Sequence, residues 1–453
     1  MNSKKLSVIY VLIHGFFWCT YAVTWSYTAM YLKSCGYENS IVGLVTGIGA
    51  VISIVLQPVM ASMTSKVKFM NNRSNILILK IASIIIGAIM MIKFPGVYTA
   101  AVLFTFAVAI DASIPSILSC VAMDSVNSGL YINYGAARGG GSVIFAGYSL
   151  MLGFLIQWFG VGCLMPLYIV TGIATVALVA AFMKCYDRKI QAVRIARGGY
   201  LSENDVQLYE RQEFGNSAKN KSAGTHFGTN TKKTSMFNVI GKYPFLKWFL
   251  LSAIFLFMGH NMINVFMLNI IENAGGSSAN LGLSLAIAAG IELPVMLCYA
   301  GISQKIPTGR LLIISAVCFT VKSVFTCFAD NLVMVYIAQL MQFGAFAVFT
   351  PASVYYINQK MSREDSGLGQ ALLGSCSLGL GGTLGNIIGG IVIDSVGLKG
   401  MLICASVLSA IGIIFMAAGT RKNYKQKQTK ASANTFANNC MQDYDYKNIV
   451  ETC

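Results

Sequence analysis

The chain has 453 residues, of which 55% are hydrophobic and 11% charged, and its net charge is +16. Soluble domains carry roughly 25% charged residues, so this composition excludes an ordinary water-soluble enzyme or binding module and makes a bilayer the main solvent. The charge by itself would suit a nucleic-acid partner, but such a partner needs a structured basic face, and the basic residues are distributed in another way.

A bilayer core of about 30 Å is crossed by about 20 apolar residues in helical form. Six stretches in the first half have that character: Leu6–Leu32, Ile41–Met63, Ile76–Ile92, Val97–Ala122, Ala136–Gln157 and Cys163–Met183. A polar, basic stretch follows from Lys184 to about Pro244. Six more apolar stretches succeed it: Leu246–Ile271, Leu281–Ile302, Leu311–Phe328, Leu332–Ile357, Gly367–Ile393 and Met401–Gly419. The pattern predicts an all-α integral membrane protein with twelve transmembrane helices in two pseudo-symmetric six-helix bundles. These are residues 1–183 and 246–420, joined by a cytoplasmic linker over 184–245 and followed by a tail over 421–453. The first stretch is too long and too aromatic for a cleaved signal, so it is expected to remain as a helix.

With the N-terminus inside, 27 of the 33 Lys and Arg fall in cytoplasmic segments and three, Lys33, Lys93 and Lys399, in external loops. That bias places both termini on the cytoplasmic side of the cell membrane. The linker mixes its bases with Glu203, Asp205 and Glu210, which reads as a solvated connection and not as a nucleic-acid surface. Most of the twelve cysteines lie inside apolar stretches, no CxxC pair occurs, and His14, His226 and His260 are far apart. Neither a redox motif nor a metal site nor a cofactor is expected. Gly381, Gly385 and Gly389 recur every four residues, as Gly43 and Gly47 do, giving smooth faces for close helix packing.

Chemistry is expected where the membrane should exclude charge, because an ionised group at mid-bilayer costs about 2.5 to 3.5 kcal/mol on insertion scales. Asp111, Arg138, Glu292 and Lys322 stand out. Glu292 and Lys322 sit at similar depth on neighbouring antiparallel helices, so an ion pair is expected, either as a static bridge or with Glu292 exchanging a proton and Lys322 tuning it. Asp111, near the helix-bending Pro115, reads either as a second proton carrier or as the partner of Arg138. His14, Trp18, Tyr21, Trp25 and Thr28 form one stripe of the first helix, an aromatic face with polar tips. His260, Asn261 and Asn264 are expected to cluster on the seventh, and Gln339 and Gln342 lie one turn apart on the tenth. Such amides bridge helices or bind a hydroxyl-rich or heteroaromatic solute.

These residues give the chain a resemblance to the major facilitator superfamily, and within it to the lactose permease-like branch of proton-linked oligosaccharide and nucleoside symporters, from Tyr21 to about Ala418. Gly43–Lys66, with Gln57 and Pro58, resembles that group's second helix and loop, although Ala61–Lys66 lacks the usual acid. Tyr134–Arg138 followed by Gly141 and Ser142 resembles the fifth-helix motif whose arginine contacts substrate, which implies that role for Arg138. Phe145 falls where a tryptophan stacks on the sugar, and Cys120 where an acid stands, with Asp124 one turn away as a substitute. Glu292 and Lys322 resemble the group's buried acid and base on the eighth and ninth helices. Gln342 falls at a histidine and Ala345 at the proton-exchanging acid, while Asn261, Asn264, Gln339 and Leu378 take the places of two acids and two lysines.

The resemblance implies a monomeric transporter, not an enzyme, moving a small polar solute by alternating access with proton symport, sugars or oligosaccharides first and nucleosides second. Competing expectations are efflux of amphipathic compounds and a non-transporting sensor or scaffold.

Overall fold

The computed structural model describes residues 3–66, 70–91, 97–128, 134–197 and 236–421 and positions 130 and 132. The described residues up to Thr420 form one compact unit. Most of the predicted linker, from residue 198 to 235, and the tail beyond Arg421 lie outside the described residues. Every regular element among the described residues is helical, and twelve helices are long and apolar enough to cross a membrane. Helices dominate because a bilayer offers no water to backbone N–H and C=O groups, which must therefore bond within each crossing.

The first crossing is α1 (Ser3–Tyr21), a π-turn (Ala22–Ser26) and α2 (Thr28–Ser34). The next five are α3 (Asn39–Lys66), α4 (Asn72–Met90), α5 (Val97–Asn127), α6 (Tyr134–Phe159) and α7 (Leu164–Arg197). A short α8 (Met236–Lys242) leads into the seventh crossing, α9 (Pro244–Val265) and α10 (Met267–Asn273). The eighth and ninth are α11 (Ser278–Lys305) and α12 (Thr308–Cys327). The tenth is split into α13 (Leu332–Leu340) and α14 (Phe346–Lys360), the eleventh runs through α15 (Arg363–Gly374), a π-helical stretch (Ser375–Gly381) and α16 (Gly382–Val396), and α17 (Leu398–Thr420) is the twelfth. Helix α7 runs well past the predicted end at Met183. Its extension is rich in Lys, Arg, Gln and Ala and free of Gly and Pro up to Arg197, so it stays helical after the apolar stretch ends.

Two loop glycines show that the halves repeat one plan. Gly160, between the fifth and sixth crossings, has φ 77 and ψ 174, and Gly397, six crossings later, has φ 89 and ψ 174. This region is essentially closed to side chains with a Cβ, so both turns require glycine.

The halves meet along two seams of small residues. At one, α3 lies against α16: a Cβ on Gly43 would collide with the Asn386 carbonyl, and Thr383 Oγ1 donates to the Gly47 carbonyl at 3.3 Å. At the other, α6 lies against α11, where Ser278 Oγ donates to the Gly153 carbonyl at 2.9 Å. The stripe Gly381, Gly385 and Gly389 packs on α9 and Phe266 within the second half, and a Cβ on Gly385 would run into the Met258 backbone.

The end of the bundle away from the N-terminus is sealed by polar contacts between the halves. Lys33 pairs with Glu272 at 2.9 Å, and Asn269 Nδ2 donates to Asn39 Oδ1 at 2.8 Å. Asp394 of α16 accepts from the Asn39 side chain at 2.8 Å and from the backbone N–H groups of Asn39 at 3.3 Å and Ser40 at 2.6 Å. A carboxylate thus caps the positive end of α3 from the opposite half. Asp394→Ala should remove about 0.5 to 1.5 kcal/mol, the worth of hydrogen bonds that water can partly replace. The midpoint of denaturant unfolding in detergent should fall accordingly, and an unchanged midpoint would show that the cap adds nothing.

Candidate functional site

The first crossing presents the predicted aromatic face. Tyr21 and Trp25 stack with ring centroids 5.6 Å apart, and Trp18 meets Tyr21 edge-on at 5.1 Å and Phe145 of α6 at 6.5 Å. The Arg138 guanidinium lies 4.4 Å above the Trp18 ring. It reaches this position because three glycines follow it in sequence. A Cβ on Gly139 would lie 2.8 Å from Leu293 Cδ1, one on Gly140 2.8 Å from Val11 Cγ1, and one on Gly141 2.9 Å from Trp18 Cδ1. Trp18 Nε1, although buried, has no hydrogen-bond partner among the described residues. The platform therefore holds an unused indole donor beside a guanidinium stacked on the ring's face.

The α6–α11 seam sets the relation of Arg138 to Glu292. Contacts of Gly139 with Leu293 and of Gly153 with Ser278 fix an antiparallel register that brings Glu292 level with Gly140. Two residues, or about 3 Å of helix rise, separate that level from Arg138. Residues from the two halves thus converge on one layer, and Glu292 lies within the electrostatic reach of both Arg138 and Lys322.

The expected direct Glu292–Lys322 ion pair is replaced by a relay. Lys322 Nζ donates to Gln342 Oε1 at 2.6 Å, and Gln342 Nε2 donates to Glu292 Oε1 at 2.9 Å. An amide both accepts and donates, so one side chain from the tenth crossing satisfies a base on α12 and an acid on α11. Gln342 lies in the irregular stretch Met341–Ala345, where α13 gives way to α14.

The amides divide differently from the sequence expectation. His260 and Asn264 do share a face of α9, His260 Nε2 contacting Asn264 Nδ2 at 2.8 Å. The His260 ring stacks on Phe346 at 5.6 Å and stands perpendicular to Phe319 at 5.2 Å. Asn261 does not join them. It donates back to the Phe257 carbonyl at 2.8 Å and faces Gly382, because the residue after His260 is turned about 100° around the helix. Gln339 likewise leaves Gln342 and donates to Met267 Sδ at 3.3 Å, bridging to α10.

Asp111 is not the partner of Arg138. It pairs with Lys80 of α4 at 2.5 Å, and both side chains have 0% exposure. Thr24 Oγ1 and Tyr168 Oη each donate to Asp111 Oδ2 at 3.0 Å, and Lys80 also donates to Thr20 Oγ1 at 3.0 Å. A lysine inside the apolar stretch Ile76–Ile92 was the available signal for this pair, since a buried charge demands a counter-charge. Asp124 likewise stays apart from Arg138: it is exposed and accepts from Asn72 Nδ2 at 2.8 Å.

Twelve crossings in two like halves, with charged and aromatic side chains converging where the halves meet, define a multi-pass membrane transporter of the major facilitator type. The MFS_1 like family matches residues 4–403, and the chain belongs to it. Among solved structures it is similar to the nucleoside transporter NupG, with 12% identity over 92% of this chain and 98% of that one and a TM-score of 0.70. It also resembles a POT family transporter in complex with a thioalcohol-conjugated peptide, with 11% identity, 91% and 94% covered and a TM-score of 0.63. A third likeness is a bacterial homolog of the human lysosomal transporter Spinster, with 12% identity, 92% and 97% covered and a TM-score of 0.60. No curated protein sequence matches the chain.

Removing one member of a dry ion pair leaves the other charge uncompensated. Lys80→Met should therefore cost about 3 to 5 kcal/mol, seen as a lower thermal midpoint of the purified protein. The double change Lys80→Met with Asp111→Asn should recover most of that loss. Equal midpoints for the single and double variants would contradict the pairing.

Proposed function

We propose that this protein is a secondary active symporter that moves a small, ring-bearing polar solute together with protons by alternating access. Sugars or oligosaccharides are the first solute class and nucleosides the second. The observation that carries the reading is the convergence, at the α6–α11 seam, of Arg138 over Trp18 from one half and the Glu292–Gln342–Lys322 relay from the other. A charge in the hydrocarbon layer is costly and marks a pathway or a proton site by default. In this reading the solute ring stacks on Trp18, Tyr21 and Trp25, with Phe145 behind them. Its hydroxyls accept from Arg138 and the Trp18 indole N–H and donate to Glu292. His260 and Asn264 border the same layer from α9, and Asn261 and Gln339 hold the surrounding helices.

Glu292 carries the coupled proton. When it is charged, the relay through Gln342 holds it to Lys322 and leaves the second carboxylate oxygen to the solute. When it is protonated, that tie weakens and the α11 half separates more easily from α6. The glycine-faced seams supply the surfaces along which the halves rock. With both termini in the cytoplasm of a cell-membrane protein, as the basic-residue bias supports, the Lys33–Glu272 and Asp394 contacts form the outer seal. The conformation described here is then closed to the outside.

The reading is tested in vesicles holding the purified protein under an imposed proton gradient, with a panel of sugars and nucleosides. Uphill accumulation of at least one member is expected, and Glu292→Gln should abolish accumulation while exchange of labelled for unlabelled solute survives. A panel with no accumulated member would remove the symporter reading. Unchanged uphill uptake by Glu292→Gln would remove Glu292 from the coupling. A bound solute should also raise stability, by about 2.7 kcal/mol at 100 times its dissociation constant.

A further inference from the structure

The buried pair of Lys80 and Asp111 has no part in the proposed coupling, yet its position relative to the first crossing is specific. Thr20 and Thr24 lie one turn apart on the side of that crossing opposite Trp18 and Trp25. Thr20 is in the last turn of α1 and accepts from Lys80 at 3.0 Å. Thr24 is inside the π-turn Ala22–Ser26 and donates to Asp111 at 3.0 Å. The pair therefore grips the helix on both sides of the point where its hydrogen bonding changes. The change itself is visible in the Tyr27 N–H, which bonds to the Ala22 carbonyl five residues back at 3.0 Å. A π-turn inserts an extra residue and rotates everything beyond it, and it is less stable than continued α-helix, so something must hold it. No proline or glycine lies between Phe16 and Met30 to force it. What the sequence does supply there is hydroxyls: Thr20 and Thr24 are each bonded to one member of an ion pair, and Thr28 donates to the Thr24 carbonyl at 2.7 Å.

We infer that Lys80, Asp111, Thr20 and Thr24 are positioning residues: they hold the π-turn, and the π-turn sets the stacked geometry of Tyr21 and Trp25 against the solute. Tyr21 precedes the turn and Trp25 lies within it, so their 5.6 Å stack spans the inserted residue. Without the Thr24 hydrogen bond the segment reverts toward α-helix, Trp25 rotates away from Tyr21, and the platform loses its far end. The inference rests on the reading of the aromatic face as the solute contact, but the geometry of the face can be measured without any solute.

The test uses the full-length protein in a Trp158→Phe, Trp248→Phe background, so that fluorescence comes from Trp18 and Trp25 alone. Thr24→Val, which keeps the shape of the side chain and removes its hydroxyl, should shift the emission maximum and change quenching by acrylamide. Thr24→Ser should restore both. Tyr168→Phe deletes a different hydrogen bond to the same Asp111 oxygen, from α7, and should lower the thermal midpoint without altering either signal. In vesicles, with labelled lactose and labelled uridine as probes, Thr24→Val should raise the KM of whichever is carried about two- to tenfold, the factor one lost hydrogen bond commands. In a Trp25→Ala background the same change should leave KM where Trp25→Ala put it. Fluorescence of Thr24→Val identical to the parent, or the same response from Tyr168→Phe, would overturn the inference. If neither probe is carried, the solute assignment fails, and the fluorescence result still decides the role of Thr24.

Discussion

A charged side chain in the hydrocarbon layer has no water to turn to, and that scarcity of partners organises this molecule. Lys80 and Asp111 answer it by pairing directly and recruiting Thr20, Thr24 and Tyr168, which leaves a buried, hydrogen-bonded cluster inside the first half. Glu292 and Lys322 answer it through the Gln342 amide, which leaves the acid with capacity to spare. Arg138 rests its guanidinium on an aromatic face. The first solution turns its hydrogen bonds inward, to groups of the fold. The other two leave polar groups facing the layer where the halves meet, which is what the proposed function draws on.

Close helix approach is the second constraint, and it follows from the first. Without a hydrophobic drive between helices in lipid, association depends on packing and on short polar contacts. The seams at Gly43 with Asn386 and at Gly153 with Ser278 supply both, and they also join the halves. The same glycines that let α6 approach α1 and α11 bring Arg138 onto Trp18 and level with Glu292. Seam and site are therefore one construction, and a change in one alters the other.

Three irregular segments carry residues of the candidate site, whereas a fourth, the π-helical Ser375–Gly381 of the eleventh crossing, carries none. The π-turn at Ala22–Ser26 carries Trp25, the break after Leu340 carries Gln342, and the break at Phe266 follows His260 by less than two turns and Asn264 by about half a turn. Backbone departing from α-helix inside a membrane protein is tolerated where protein or an internal cavity surrounds it. These three breaks face the interior of the bundle, where Thr24, Gln342 and Phe266 are all buried.

The sequence by itself determined the crossings, their number, the repeat of six and the identity of most charged residues that matter. Those properties depend on local hydrophobic length and on residue type, which a linear reading measures directly. It did not determine pairing. That Asp111 would meet Lys80 and not Arg138, that an amide would stand between Glu292 and Lys322, and that Asn261 and Gln339 would turn away from their neighbours all depend on helix rotation and on which crossings touch. Rotation by a single residue moves a side chain about 100° around an α-helix, and the π-turn adds an offset that no periodicity in the first crossing announces. Only the packed bundle, where one seam register and one turn fix those angles, could decide which polar groups stay occupied and which remain open.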